Sequence, residues 1–346
     1  MSDTRRAQLA AVLEKLEQAQ AVVLTTHVNA DGDGAGSEAA VAHWLAAAGK
    51  RVHVVNPTPF PGMFRFLFSD DGFICDAGTI AADRALADAD LLLVLDTAEP
   101  KRIGRVAKAA ARMPVAVIDH HVASAGALEG TLAQDATACA TGELIYDLLA
   151  LSGTPAPWPQ AVIEGLYTAI VTDTGSFRFA NTTRRTHEVA GDLIEQGVDP
   201  ELMYRRIYAS VPLHRLQLLR HALENLEVDD DYPITSISIE RGVMEGLGAG
   251  SDDLDGIVEH ARSIAGTEVA LLFRETVDGS TKVSLRSAGD ADVNAIARTF
   301  GGGGHVKASG VLIAQPLAVA RPLVIEATRA ALRDMAPAFR AAPESD

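Results

Sequence analysis

The chain lacks most of what would place it outside the cell, in a membrane or on long nucleic acid. It has two cysteines in 346 residues, Cys75 and Cys139. They form no CxxC pair and no disulfide framework, so both read as buried, inert thiols in a reducing compartment. No apolar run approaches the roughly 20 residues that span a bilayer. There is no block of basic residues, and 30 Lys+Arg against 46 Asp+Glu leave a net charge of −16. A surface that tracks long DNA or RNA normally carries a basic stripe, so its absence argues against a processive grip but not against a short or mononucleotide substrate. Internal repeats and low-complexity segments are also missing. The first residues run into an amphipathic helix (Leu9, Val12, Leu13, Leu16) and not into the apolar core of a signal peptide. A soluble, cytoplasmic protein is expected, without membrane contact.

What is present is a large core, at 48% apolar residues, and length enough for two domains. The first half alternates apolar strands with helical patterns. Strands are expected at 21–27, 51–55, 91–96 and 115–118, and helices at 37–48, 101–112, 138–151 and 160–172. This rhythm predicts an α/β domain with a mostly parallel sheet covered by helices. Residues 184–228 read as helical: 186–196, 201–209 and 213–226. A smaller α/β unit follows, with strands at 234–239, 269–275, 281–286 and 310–314. Asp278-Gly279 marks a hairpin. Helices are expected from a Ser251 cap to Ala265, at 291–299 and at 318–335, before a frayed Pro343–Asp346 tail. The expected divisions are 1–197, a helical connector at 198–228, and 229–346.

Three strands of the first half end in metal-type ligands. Val22-Val23-Leu24 leads to His27, Asp31 and Asp33; Leu91–Leu95 ends at Asp96; Val115–Ile118 ends at Asp119-His120-His121. Ligands of open α/β sheets bind beyond the carboxyl ends of the strands, so these segments point to one dinuclear metal site and to displacement at phosphorus. Gly32, Gly34 and Gly36 read as a loop that lets backbone approach metal and phosphate. Asp96 is placed to bridge two ions, and Asp119 to orient an imidazole. Asp173 closes a helix, where the macrodipole disfavours a carboxylate unless a cation is near. Phe177 and Phe179 read as alternating towards the core, which turns Arg178 towards a phosphate or towards solvent. In the second half, Gly301–Gly304 read as an anion cradle of successive N–H groups, with His305 at its end and Arg286-Ser287 able to reach the same phosphate. The remaining histidines (His43, His53, His187, His214, His221, His260) read as structural.

His27-Val28-Asn29-Ala30-Asp31-Gly32-Asp33, Asp96, Asp119-His120-His121 and Thr172-Asp173-Thr174-Gly175 resemble the four motifs of the DHH phosphoesterases. Gly301–His305 resembles the hallmark of their associated C-terminal domain. The match runs from about residue 20 to 315 and is similar in layout to the stand-alone oligoribonuclease and pAp phosphatase group. The resemblance implies two Mn²⁺ ions, with Mg²⁺ or Co²⁺ as substitutes. One would be held by His27, Asp31 and Asp96, the other by Asp33, Asp96, His120 and Asp173. His121 would face the scissile phosphate. By the same resemblance Arg286 and His305 would bind phosphate across a cleft between the domains; Arg178, Ser287, Gly303 and Gly304 join them as substrate-binding candidates from the residue pattern itself. Ala30 departs from the family's usual proline but is no ligand. Implied substrates are short RNA oligonucleotides and pAp, or dinucleotides in the alternative cyclic di-AMP/pApA phosphodiesterase reading. A non-catalytic nucleotide-binding protein is the rival of another class, and a homodimer rests on the resemblance alone. RecJ-type exonucleases need a further domain, and family II pyrophosphatases lack the glycine-histidine loop.

Overall fold

The computed structural model describes residues 1–68, 71–122, 126–250, 252–254 and 256–339, with the side chains of 71, 252, 305 and 336–339 excepted. The expected tail at 343–346 and the cap at Ser251 lie outside the described residues. The chain divides into two compact units, Met1–Ser210 and Val211–Asp346. No helix among the described residues is long and apolar enough to cross a membrane.

The first unit runs α1 (Asp3–Gln18), β1 (Ala21–Thr25), α2 (Gly32–Ala47), β2 (Arg51–Val54), α3 (Ile80–Asp88), β3 (Leu91–Leu95), α4 (Ala107–Ala110), β4 (Val115–Asp119), β5 (Thr131–Gln134), α5 (Thr141–Leu151), α6 (Gln160–Asp173), α7 (Arg184–Glu195) and α8 (Pro200–Tyr208). Its sheet has the order β2-β1-β3-β4-β5, and every pair is parallel. Strands buried on both faces carry continuous apolar runs, as here. Leu91, Leu93 and Leu95 enter the core shared with α1, α2, α5 and α6, while Leu92 and Val94 enter a second core with Ala82, Ala85 and Val106. The strand order reverses beside β1, between β1 and β3, so the crevice at their carboxyl ends is the natural ligand site of this topology.

Three sequence expectations need correction. Gly32, Gly34 and Gly36 are not loop: α2 starts at Gly32, because Asp31 caps it by accepting from the N–H groups of Asp33 and Gly34. The glycines are required by close packing. A Cβ on Gly36 would lie 2.4 Å from Gly165 O and 2.8 Å from Ala169 N, so α2 and α6 meet backbone to backbone. The helix expected at 101–112 shrinks to a short 3₁₀ turn (Gly104–Val106) and α4. Gly104 takes a left-handed φ of 50° that interrupts it. Gly175–Phe179 is turn and not strand: Ser176 and Phe177 have positive φ, Phe177 packs on the core and Phe179 is exposed. The strand β5 and the helix α3 were not foreseen.

The second unit comprises α9 (Leu213–Glu224), β6 (Leu226–Val228), β7 (Ile234–Ile239), α10 (Arg241–Leu247), α11 (Ile257–Arg262), β8 (Val269–Glu275), β9 (Thr281–Ser287), α12 (Val293–Arg298), β10 (Gly303–His305), β11 (Ala308–Ile313) and α13 (Leu317–Phe339). Its mixed sheet has the order β10-β11-β9-β8-β7-β6, parallel only at β7–β8. One face packs on α12 and α13 through Phe273, Val283 and Leu285; the other packs on α9, α10 and α11 through Ile237, Ile239 and Leu272. The helix expected from Ser251 to Ala265 is shortened to α11, because Gly256 is left-handed at φ 85°. The contact boundary at residues 210/211 leaves α8 with the first unit and α9 with the second.

The helix packing makes a test with opposite signs. Gly36→Ala should destabilise the protein by about 1–3 kcal/mol through overpacking. Gly191→Ala should be neutral or stabilise by roughly 0.5–1 kcal/mol, since helix α7 leaves open space there. Thermal melts of the two variants read this directly, and equal melting temperatures would contradict the packing argument.

Candidate metal centre

β1, β3 and β4 deliver their side chains to one point. His27 follows β1, Asp96 follows β3 with a left-handed φ of 62°, and Asp119-His120-His121 ends β4. Asp31 and Asp33 arrive at the amino end of α2, and Asp173 is the last residue of α6. His27, Asp31 and Asp96 form one trio, and Asp33, His120 and Asp173 another; within each, one ligand atom per residue lies within 4.8 Å of the others. Asp96 serves both. Its Oδ2 is 3.2 Å from His27 Nε2, and its Oδ1 is 3.6 Å from His120 Nε2. His120 Nε2 is also 3.6 Å from Asp33 Oδ2 and from Asp173 Oδ2. All six residues expected as ligands thus meet in one cluster.

The electrostatics demand a cation. Asp33 is fully enclosed, and burial followed by repulsion from Asp96, Asp173 and Asp31 holds its pKa well above the usual carboxylate range. Asp173 is raised as well, first by burial, although His120 opposes the shift. The fold eases this crowding with backbone donors: the N–H groups of Thr141 and Gly142, at the amino end of α5, donate to Asp33 at 2.7 and 3.0 Å. Helix amino ends favour negative charge. The Thr141 hydroxyl donates to Asp96 Oδ1 at 3.0 Å.

His27 provides the sharper observation. Its Nδ1 donates to Val28 O at 2.9 Å, so Nε2 turns a lone pair towards Asp31 and Asp96. That Nε2 is buried and has no hydrogen-bond partner. Burial pulls the His27 pKa down, yet Asp31 and Asp96 outweigh it and lift the imidazole to about 10. A lone pair aimed at two carboxylates is tolerable only with a cation between them, either a proton or a metal. Imidazole and carboxylate donors suit a divalent first-row ion.

Surrounding groups hold the ligands in place. Asp119 accepts from His121 Nδ1 at 2.7 Å and from Gln134 Nε2 at 2.8 Å. Burial would raise the Asp119 pKa, but these bonds hold it below its ordinary value, and the Asp119 bond raises that of His121. His121 is half exposed, so its outer edge is open to a substrate. Asn181 Nδ2 donates to Asp173, and Arg178 Nε donates to Gly175 O. Arg5, buried in α1, binds Asp135, Glu143 and Asp147, while Glu143 accepts from Cys139 N just ahead of α5. Sequence reasoning missed the pair behind His27: Asn56 Nδ2 donates to Glu38 Oε2, and burial pushes the Glu38 carboxyl up to about 8. Its one signal is a glutamate immediately ahead of the small apolar run Ala39–Ala42.

In the second unit, Arg286 on β9 donates to Glu259 at 3.1 Å, and the sheet register sets His305, Ala308 and Arg286 in one row. The His305 side chain lies outside the described residues. The glycine run is not an open cradle throughout: the N–H groups of Gly301 and Gly302 cap α12 on Arg298 O and Ala297 O, and Gly303 and Gly304 belong to β10. Ser287 is buried, its hydroxyl donating to Gly289 O. The six histidines read as structural take no part in the cluster.

A parallel sheet ending in two histidine–carboxylate trios, with Asp96 of the first also beside His120 of the second, is an α/β centre with groups able to hold metal. The sequence matches the model of the DHH family, N-terminal domain, over residues 21–170, and that of the DHHA1 domain over 236–334. The chain belongs to the DHH family. It is 31% identical over 84% of its length to the bifunctional oligoribonuclease and PAP phosphatase NrnA of Thermus thermophilus, covering 84% of that protein. The Bacillus subtilis protein of the same name is 30% identical, with 84% of this chain and 89% of that protein covered. An exopolyphosphatase-related protein from Bacteroides fragilis has a similar structure, with TM-score 0.82 and 27% identity over 97% of this chain and 98% of that one.

Because cation binding relieves the carboxylate repulsion, a divalent ion at 100 times its Kd should stabilise the protein by about 2.7 kcal/mol per site. Chelator titration followed by calorimetry should therefore lower Tm in the wild type and much less in Asp96→Ala. An unchanged wild-type Tm on chelation would count against a metal centre.

Proposed function

We propose that the protein is a hydrolase loaded with two Mn²⁺ ions that degrades short RNA oligonucleotides to mononucleotides and removes the 3′-phosphate of pAp. The observation that carries this reading is the division of Asp96 between two trios, Oδ2 towards His27 and Oδ1 towards His120. The two relatives that carry both activities in their names support it over most of their length. His27, Asp31 and Asp96 hold the first ion; Asp33, Asp96, His120 and Asp173 hold the second. Bound divalent ions at such a centre neutralise charge on a transferring phosphoryl group.

The chain's own residues do the rest. Thr141 and the amino end of α5 hold the Asp96 and Asp33 carboxylates in place by hydrogen bonds. Asp119 fixes the His121 proton on Nδ1 and leaves Nε2 to meet a substrate phosphate. Arg178 and, in the second unit, Arg286, Ser287, Gly303, Gly304 and His305 form the substrate-binding set, in which Arg286 supplies a guanidinium for phosphate. The acidic chain then discriminates by size, since long polyanions are repelled by a surface of net charge −16. A cytoplasmic homodimer completes the reading.

The test is a panel of pAp, pApA, cyclic di-AMP and RNA of two to five nucleotides with Mn²⁺. Turnover of RNA and pAp is expected; turnover of cyclic di-AMP or pApA alone would replace the reading with a dinucleotide phosphodiesterase. Asp96→Ala should lower kcat about 10³-fold, the several kcal/mol that charge neutralisation supplies. Arg286→Ala should raise KM about 10-fold, as expected for one charge-assisted bond. Equal kcat losses with unchanged KM would contradict that division.

A further inference from the structure

The second unit contains a basic groove that the metal chemistry does not use. It is lined by Leu272 and Arg274 of β8, by Lys282, Ser284 and Arg286 of β9, and by Val258 of α11 with its preceding loop. On β9, Lys282, Ser284 and Arg286 are alternate residues and share one sheet face, while Val283 and Leu285 enter the core on the other. Arg274 is the direct cross-strand partner of Lys282, and Leu272 that of Ser284.

Like charges placed directly opposite each other on neighbouring strands are destabilising. Neither Arg274 nor Lys282 has an ion-pair or hydrogen-bond partner among the described residues, whereas Arg286 is partly neutralised by Glu259. The chain thus sets two unneutralised cations face to face beside a third, although its net charge is −16. An anion lying between them would turn that repulsion into attraction. The groove of about 100 Å³ is smaller than the roughly 300–1,000 Å³ that engulfs a whole small molecule. It suits one phosphate and its sugar, with Ser284 to donate and Leu272 and Val258 as an apolar floor.

We propose that Arg274, Lys282 and Ser284 form a subsite for a non-scissile phosphate of an RNA oligonucleotide, continuing along β9 from Arg286. The inference rests on the activity proposed above and deepens it: the subsite grips substrates that extend beyond the phosphate held at Arg286. A nucleoside bisphosphate such as pAp is too short to gain the same benefit.

The test compares wild type with Arg274→Gln/Lys282→Gln, both melted to verify folding, by KM for pAp and for RNA of two to five nucleotides and by fluorescence anisotropy with a labelled RNA 5-mer. For the double variant, KM and Kd for the 5-mer should rise about 10-fold, and the rise should exceed that for pAp at least fivefold. Each phosphate contact to single-stranded nucleic acid contributes about 0.7 to the slope of log K against log salt, so loss of this one contact should lower the slope by about 0.7. Arg274→Lys/Lys282→Arg, which keeps both charges, should restore 5-mer binding. Equal losses for pAp and the 5-mer, or no loss at all, would overturn the subsite while leaving the proposed activity in place. A wild-type enzyme that neither binds nor cleaves RNA would overturn both.

Discussion

The crowding of four carboxylates with two imidazoles at the end of a parallel sheet governs the first unit. Asp31, Asp33, Asp96 and Asp173 repel one another, and the fold keeps them together with partial positive charge from its backbone. The amino end of α5 holds Asp33, and that of α2 holds Asp31. Those dipoles lessen the repulsion without removing it, as the raised pKa values of Asp33 and Asp173 show. His27, with its unpartnered Nε2, marks where the remaining positive charge belongs. Sheet topology fixes the location: the reversal of strand order beside β1 opens the crevice that these residues fill.

Much of this centre was legible in the sequence because buried parallel strands write themselves as unbroken apolar runs. Where such a run stops at Asp96 or at Asp119-His120-His121, the stop itself is the signal. Gly32, Gly34 and Gly36 were not legible in the same way. Glycine serves both flexible loops and close helix contacts, and the chain alone does not say which partner lies opposite. Gly104 and Gly256 ended helices early for a related reason, since periodicity records a preferred face and not a residue's φ. Glu38 and Asn56 escaped notice because their importance comes from contacts across 18 residues of sequence. The same is true of Thr141 and Gly142, whose backbone groups leave no trace in side-chain chemistry.

The second unit solves a different problem with different means. Its mixed sheet buries Val283 and Leu285 on one face and leaves the opposite residues of β9 polar or charged, so the alternation along one strand separates core from contact surface. The glycines before β11 belong to this economy of space. A Cβ on Gly302 would strike Gly310 O at 2.4 Å, which shows that β10 and its approach are shaped by packing as much as by any ligand.

The meeting of Gly36 with Gly165 also limits how the chain can drift. A Cβ on Gly165 would sit 2.7 Å from Gly36 O and 2.9 Å from Ala40 N, so each position forbids a side chain on the other's behalf. Gly36 lies one short helical turn after Asp33, and any widening of the crossing would carry that carboxylate away from His120. The two glycines and the acidic turn therefore act as one mechanical unit, in which the closeness of two backbones sets the reach of a carboxylate.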